Sequence, residues 1–126
     1  TLYLERSMAM YQKAGQSPGW IRKTAAESWY LLGEEYREHH QLDAAQHAFT
    51  RATELVPDYL VAYVGLGEIL LEQGHADQAL SILEQANLQD LKNSRIWRLM
   101  GKAHQTLGDT DKAQFYARQA EALSGT

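Results

Sequence analysis

The sequence contains no cysteine and only two prolines. Without thiols, disulfide staples, thiolate nucleophiles and cysteine-ligated metals are all excluded. The compartment stays open, because cytoplasm and bacterial periplasm both suit a chain that needs no disulfide. No run of about 18 apolar residues occurs, so no membrane-inserted helix is expected, and no signal-peptide pattern is read. Cationic excess is also missing. Lysine and arginine total 12 against 16 aspartates and glutamates, a formal charge of −4. Neutralising a phosphate backbone needs clustered cations, so nucleic acid is not an expected partner. The chain begins at Thr1 and stops at Thr126, and we read it as a piece of a longer protein.

What the sequence does have is self-similarity. Trp29, Tyr63 and Trp97 stand 34 residues apart, and Gly33, Gly67 and Gly101 keep the same interval. So do Leu32, Leu66 and Met100, then Ala45, Ala79 and Ala113, then Ala52, Ala86 and Ala120. Several columns at one period mark a repeat architecture. Within a unit, Trp29, Leu32, Gly33 and Tyr36 follow the i, i+3, i+4, i+7 spacing of one helical stripe, and Ala45, Phe49 and Ala52 form a second stripe. The corners between the stripes read His39-His40-Gln41-Leu42-Asp43, Gln73-Gly74-His75-Ala76-Asp77 and Leu107-Gly108-Asp109-Thr110-Asp111. Gly74 and Gly108 suit a helix end in the left-handed conformation, and Asp77 and Asp111 favour the start of the next helix.

Each unit is therefore expected to be two antiparallel helices joined by a tight turn. The units are placed at 26–59, 60–93 and 94–126, with helices near 26–39, 42–55, 60–73, 76–87, 94–107 and 110–123. Pro57 falls in the link after the first unit, where a missing amide hydrogen does no harm. Gly33, Gly67 and Gly101 are expected to let the paired helix cross closely, with Ala45, Ala79 and Ala113 facing them from the other side. Trp29 and Trp97 are expected to fill the space between paired helices. Ser94 is expected to cap the helix leading to Trp97, with Asn93 as the alternative.

The N-terminal stretch 1–25 is less regular. Leu4, Met8, Tyr11 and Ala14 give residues 2–14 a helical stripe. Ser7, Tyr11 and Ala14 repeat the spacing of Ala45, Phe49 and Ala52, as the second helix of a preceding unit would. Ser17 then Pro18 is a good helix start, an oxygen-bearing cap followed by proline. The helix leading to Trp29 is thus expected to begin near residue 18 and to be long, or bent near Thr24.

These residues resemble the tetratricopeptide repeat family. Trp29, Leu32, Gly33, Tyr36, Ala45, Phe49, Ala52 and Pro57 carry its full signature in the first unit. The second keeps Leu66, Gly67, Ala79 and Ala86. The third keeps Trp97, Gly101, Ala113 and Ala120, but has Met100, His104 and Ala117 where the pattern prefers leucine, tyrosine and phenylalanine. The resemblance implies an all-α fold, a right-handed superhelix or α-solenoid of helix pairs, whose first helices line a concave groove that holds a peptide or a partner's helix.

The same resemblance places Glu27, Tyr30, Glu34 and Arg37 toward the groove in the first unit, Val61, Val64, Glu68 and Leu71 in the second, and Arg95, Arg98, Lys102 and Gln105 in the third. The groove is then acidic at one end, apolar in the middle and cationic at the other. Arg95, Arg98 and Lys102 share a helix face by their spacing. Such a face suits a partner's acidic segment, since the arginine fork can pair with both oxygens of a carboxylate; the alternative is a solvated face that keeps the domain in solution. A subclass of the family grips a C-terminal carboxylate with lysine and asparagine in the first unit, asparagine in the second, and lysine and arginine in the third. Tyr30 and Glu34, Gly65, and Arg95 and Leu99 occupy those positions here. Only Arg95 is cationic and Glu34 repels a carboxylate, so that reading is set aside.

Chemistry-bearing clusters are few. His39, His40, His47, His75 and His104 show no i, i+4 ligand pair. Glu34, Glu35, Glu38, Glu68 and Glu72 lie on helices that by themselves offer no closed pocket to split their acidities. No catalytic residue, metal site or cofactor is expected. The leading expectation is a protein-binding scaffold. Two others stand beside it: a docking or regulatory domain of a larger enzyme, and a structural solenoid segment that self-associates.

Overall fold

The computed structural model describes residues 18–125, and among them are six α-helices and no strand. They are α1 (Gly19–Glu38), α2 (Leu42–Leu55), α3 (Leu60–Glu72), α4 (Ala76–Gln89), α5 (Ser94–Thr106) and α6 (Thr110–Leu123). The protein has an all-α helical repeat fold. The helix expected over residues 2–14, and the cap expected at Ser17, lie outside the described residues.

The three tight corners are built alike. In the first, the Gln41 amide donates to the Tyr36 carbonyl at 2.9 Å and the His40 amide to the Arg37 carbonyl at 3.0 Å. His75 and Gly74 make the same two bonds to Leu70 and Leu71, and Asp109 and Gly108 to His104 and Gln105. This six-to-one and five-to-two pattern satisfies the last carbonyls of a helix and needs one residue with positive φ. Gly74 and Gly108 take that role at φ +86°, as their sequence position leads one to expect. In the first corner it falls to His40, at φ +58°.

Helix starts differ more. The Asn93 side chain accepts from the Arg95 and Ile96 amides at 3.1 and 3.3 Å, so Asn93 is the cap of α5 in place of the expected Ser94, which is its first helical residue. Asp109 caps α6 by accepting from the Lys112 amide at 3.1 Å. Before α1, Pro18 supplies only its carbonyl, to Ile21 and Arg22. Helix α1 thus starts seven residues before the first unit expected from residue 26 and reaches 20 residues. Near its start, the Thr24 hydroxyl donates to the Trp20 carbonyl at 2.9 Å.

The chain divides into two compact units that meet between Gly65 and Leu66, within α3. In the first, α1 packs against α2. Ala26, Trp29, Leu32, Ala48, Ala52 and Ala62 form its buried core. Trp29 fills space against α2, its ring meeting the His47 ring edge-on at 5.6 Å with the Arg51 guanidinium over it at 5.9 Å. In the second unit α5 packs against both α4 and α6. Ile69, Leu83 and Ile96 are fully buried there. Each such side chain removed from water contributes about 1.5–3 kcal/mol.

The glycine column requires a correction. A Cβ built on Gly33 would lie 2.8 Å from the Phe49 ring, and one on Gly67 only 2.6 Å from Leu83. The nearest atoms to these glycines belong to the large side chain at the centre of the paired helix, ahead of Ala45 or Ala79. Gly65 does the same from α3, with Phe49 at 2.9 Å, so the Phe49 ring lies between two glycines. Only Gly101 behaves as expected. Its nearest neighbour is the backbone carbonyl of Ala113 at 3.3 Å. The reason is volume: the third repeat has Ala117 where the others have Phe49 and Leu83, so backbone comes next to Gly101.

Candidate functional site

Helix α5 turns one stripe inward and one outward. Ile96, Leu99, Met100, Ala103 and His104 are buried. The same 3.6-residue turn leaves Arg95, Arg98 and Lys102 exposed. Aromatic contacts with α6 fix the helix from behind. Trp97, half-buried, lies 5.3 Å from the Tyr116 ring, and the His104 ring stacks on Tyr116 at 5.0 Å with 8° between planes. The Trp97 indole donates to the Leu91 carbonyl at 2.8 Å, tying α5 to its entry loop.

The cationic stripe is not uniform. The Arg95 guanidinium donates to the Glu68 carboxylate on α3 in a salt bridge. Glu68 is 8% exposed as a residue, whereas the Arg95 side chain is 58% exposed. Arg98 and Lys102 make no ion pair among the described residues. Leu71, one turn beyond Glu68, is half-buried. The second unit therefore presents one internally neutralised arginine and two open cations on α5.

In the first unit, the Tyr30 ring sits 5.7 Å from Phe49 and 5.9 Å from Tyr59. Burial pushes the Tyr59 phenol above its ordinary value, with the Glu27 carboxylate and then Tyr30 adding to the effect. Glu34 and Arg37 are half-buried, and Val64 is 6% exposed. Val64 and Glu68 were both assigned to a contact face by sequence, yet each offers little surface. Tyr59 and Gly65 went unnoticed as structural partners of that face. The signal for Gly65 was available: a glycine stands where the first and third repeats have Leu31 and Leu99, opposite the bulkiest residue of its column, Phe49.

Among the described residues, no helix is long and apolar enough to cross a membrane. None of them form a group of three or more histidine or acidic side chains fit to hold a metal ion.

Two tetratricopeptide-repeat family models match residues 36–103 and 94–126, the first of them over more than half of the chain. The chain belongs to the tetratricopeptide-repeat family. A relative described as TPR repeat-containing protein PA0015, from Pseudomonas aeruginosa, is 39% identical over 62 residues, 49% of this chain and 59% of that protein. Among solved members, the Arabidopsis OM64 TPR domain superposes with a TM-score of 0.79 at 24% identity, covering 81% of this chain and 84% of that one. PcrH, solved in complex with the chaperone binding region of PopD, gives 0.75 at 28% identity over 78% of this chain and 74% of its own. The chain spans between 13% and 59% of the length of the curated relatives it matches.

Proposed function

We propose that this protein is a non-catalytic interaction scaffold that holds an acidic segment of a partner protein on the exposed face of α5. The observation that carries this reading is the pair of open cations, Arg98 and Lys102, on a helix whose other side is locked by burial and by Tyr116. A rigid cationic face on a mildly acidic protein gives local recognition without general affinity for polyanions. The likeness to PcrH, whose complex contains a segment of PopD, supports a partner that is a peptide segment. Tyr30, Glu34 and Arg37 give the first unit, taken by itself, a half-buried aromatic and mixed-charge patch.

Two cations four residues apart stand about 6 Å apart along a helix axis. Alternate side chains of an extended peptide are separated by about 6.6 Å. A peptide with glutamates at alternate positions therefore matches the face. Titration calorimetry with such a synthetic peptide, leucines between the glutamates, tests the proposal. Charge reversal of both cations (R98E/K102E) is expected to weaken binding by about 2 kcal/mol or more if the pairs are desolvated. Unchanged affinity of the folded double variant overturns the reading.

A further inference from the structure

We infer that Glu68 is a specificity determinant of the α5 face: it admits partners that bring two acidic side chains to Arg98 and Lys102 and disfavours a third at Arg95. The inference rests on the proposed function and goes a step beyond it. Arg95 belongs to the same stripe by sequence, and by spacing alone three carboxylates would match three cations. The fold removes one of them. Glu68 reaches Arg95 from α3, and the two members of the pair are unequally placed: the carboxylate side chain is 10% exposed and the guanidinium side chain 58%. Glu68 is therefore the fixed member, enclosed by its own helix and its neighbours, and Arg95 is the arm that comes to it.

A partner carboxylate arriving at Arg95 meets a guanidinium already neutralised and a second carboxylate beside it. Glu68 has little room to withdraw, since it is buried on the helix that also carries Leu71. Like charges brought together in a half-buried setting repel, and such juxtapositions are how interfaces exclude wrong partners. The charges along α5 thus read neutral, positive, positive. The partner that fits has a neutral residue, then two acidic ones.

The test uses the full 126-residue chain and two blocked synthetic peptides of equal length with leucines at alternate positions. One carries glutamine, glutamate and glutamate at the intervening positions, and the other carries three glutamates. By calorimetry, the wild type should favour the two-glutamate peptide, by about twofold. Glu68→Gln keeps the side chain's shape and its hydrogen bond to Arg95 but frees the arginine's charge. It should then prefer the three-glutamate peptide by about fivefold, the upper range for a solvent-facing ion pair. Arg95→Gln removes the cation that faces Glu68 and should shift preference the other way, about fivefold toward the two-glutamate peptide; it also supplies the readout if Glu68→Gln does not fold.

Equal preference in wild type and in whichever variant folds overturns the inference, as does a wild type that already prefers three glutamates fivefold. If the peptides bind and R98E/K102E leaves that binding unchanged, the α5 face itself is wrong and the inference falls with it. That outcome is distinct from peptides that depend on Arg98 and Lys102 but ignore Glu68, which would sink only the role of Glu68.

Discussion

Single positions in this protein are decided by competing effects of similar size, and the glycine column shows how the balance tips. Replacing a helical glycine by alanine gains about 1 kcal/mol of helix propensity. At Gly33 the new methyl would stand 2.8 Å from the Phe49 ring, and the ring is also packed on Gly65, where a Cβ would stand 2.9 Å from it. The ring cannot move out of the way, and overpacking of this kind costs about 1–3 kcal/mol, enough to outweigh the gain. Gly33→Ala is therefore expected to lower the urea midpoint, and to do so much less in a Phe49→Leu background, where the smaller side chain leaves space. At Gly101 the contact is a milder 3.3 Å, so Gly101→Ala should lie within about 1 kcal/mol of wild type. Equal losses at Gly33 and Gly101 would refute the volume argument. The first corner gives a prediction of opposite sign. His40 holds φ +58° where the other two corners use glycine, and the left-handed region strains a side-chain-bearing residue by about 1–2 kcal/mol, partly offset by glycine's greater chain entropy. His40→Gly should raise stability by about 0.5–1 kcal/mol in the same denaturation assay.

At the scale of the helix, periodicity revealed almost everything that depends on one chain segment at a time. The 34-residue interval located all six described helices, and the proline at position 18 marked the long start of α1. Gly74 and Gly108 announced their corners because positive φ is written in the residue type. What the interval could not reveal depends on side chains from different segments meeting. Gly33 and Gly67 face Phe49 and Leu83 because of the volumes on the second helix. The choice of Asn93 over Ser94 as cap was open on residue type alone, since either can accept from the free amides. Glu68 and Arg95 are 27 residues apart and in different columns of the repeat, so no pattern linked them. The helices also differ in how firmly they are held. Helices α2 and α4 each bury four residues, whereas only Ala120 of α6 is buried, with Phe115 47% exposed. Few buried contacts mean low local opening energy. Hydrogen exchange should show amides in the middle of α6 protected at least about tenfold less than those in the middle of α2. Comparable protection in the two helices would show that the aromatic contacts of Tyr116 alone hold α6 in place.

For the whole molecule, the sign of the net charge and the sign of the proposed binding face disagree, and ionic strength separates the two. The chain carries −4 overall, so an acidic peptide is repelled at long range while Arg98 and Lys102 attract it at contact. Screening removes these in order of distance. At about 0.01 M salt the Debye length is about 30 Å, and the repulsion from charges all over the protein reaches the peptide. At separations of about 20 Å in water, four charges acting on a doubly charged peptide give a penalty of about 1–2 kcal/mol before screening. At about 0.1 M the Debye length falls to about 10 Å. The distant charges then drop out, while contacts at about 4 Å to the two cations survive, each contributing about 1 kcal/mol at most in water and more where solvent is excluded. By about 1 M those contacts are screened as well. Affinity for a peptide with alternate glutamates should therefore pass through a maximum near 0.1 M rather than fall steadily. In R98E/K102E the local attraction becomes repulsion, so residual binding should only rise with salt. Calorimetry at five or so salt concentrations would check both curves. A steady fall in the wild type from the lowest salt upward would mean that the field of the cationic face dominates at every range. A steady rise would mean that the acidic peptide does not meet that face at all.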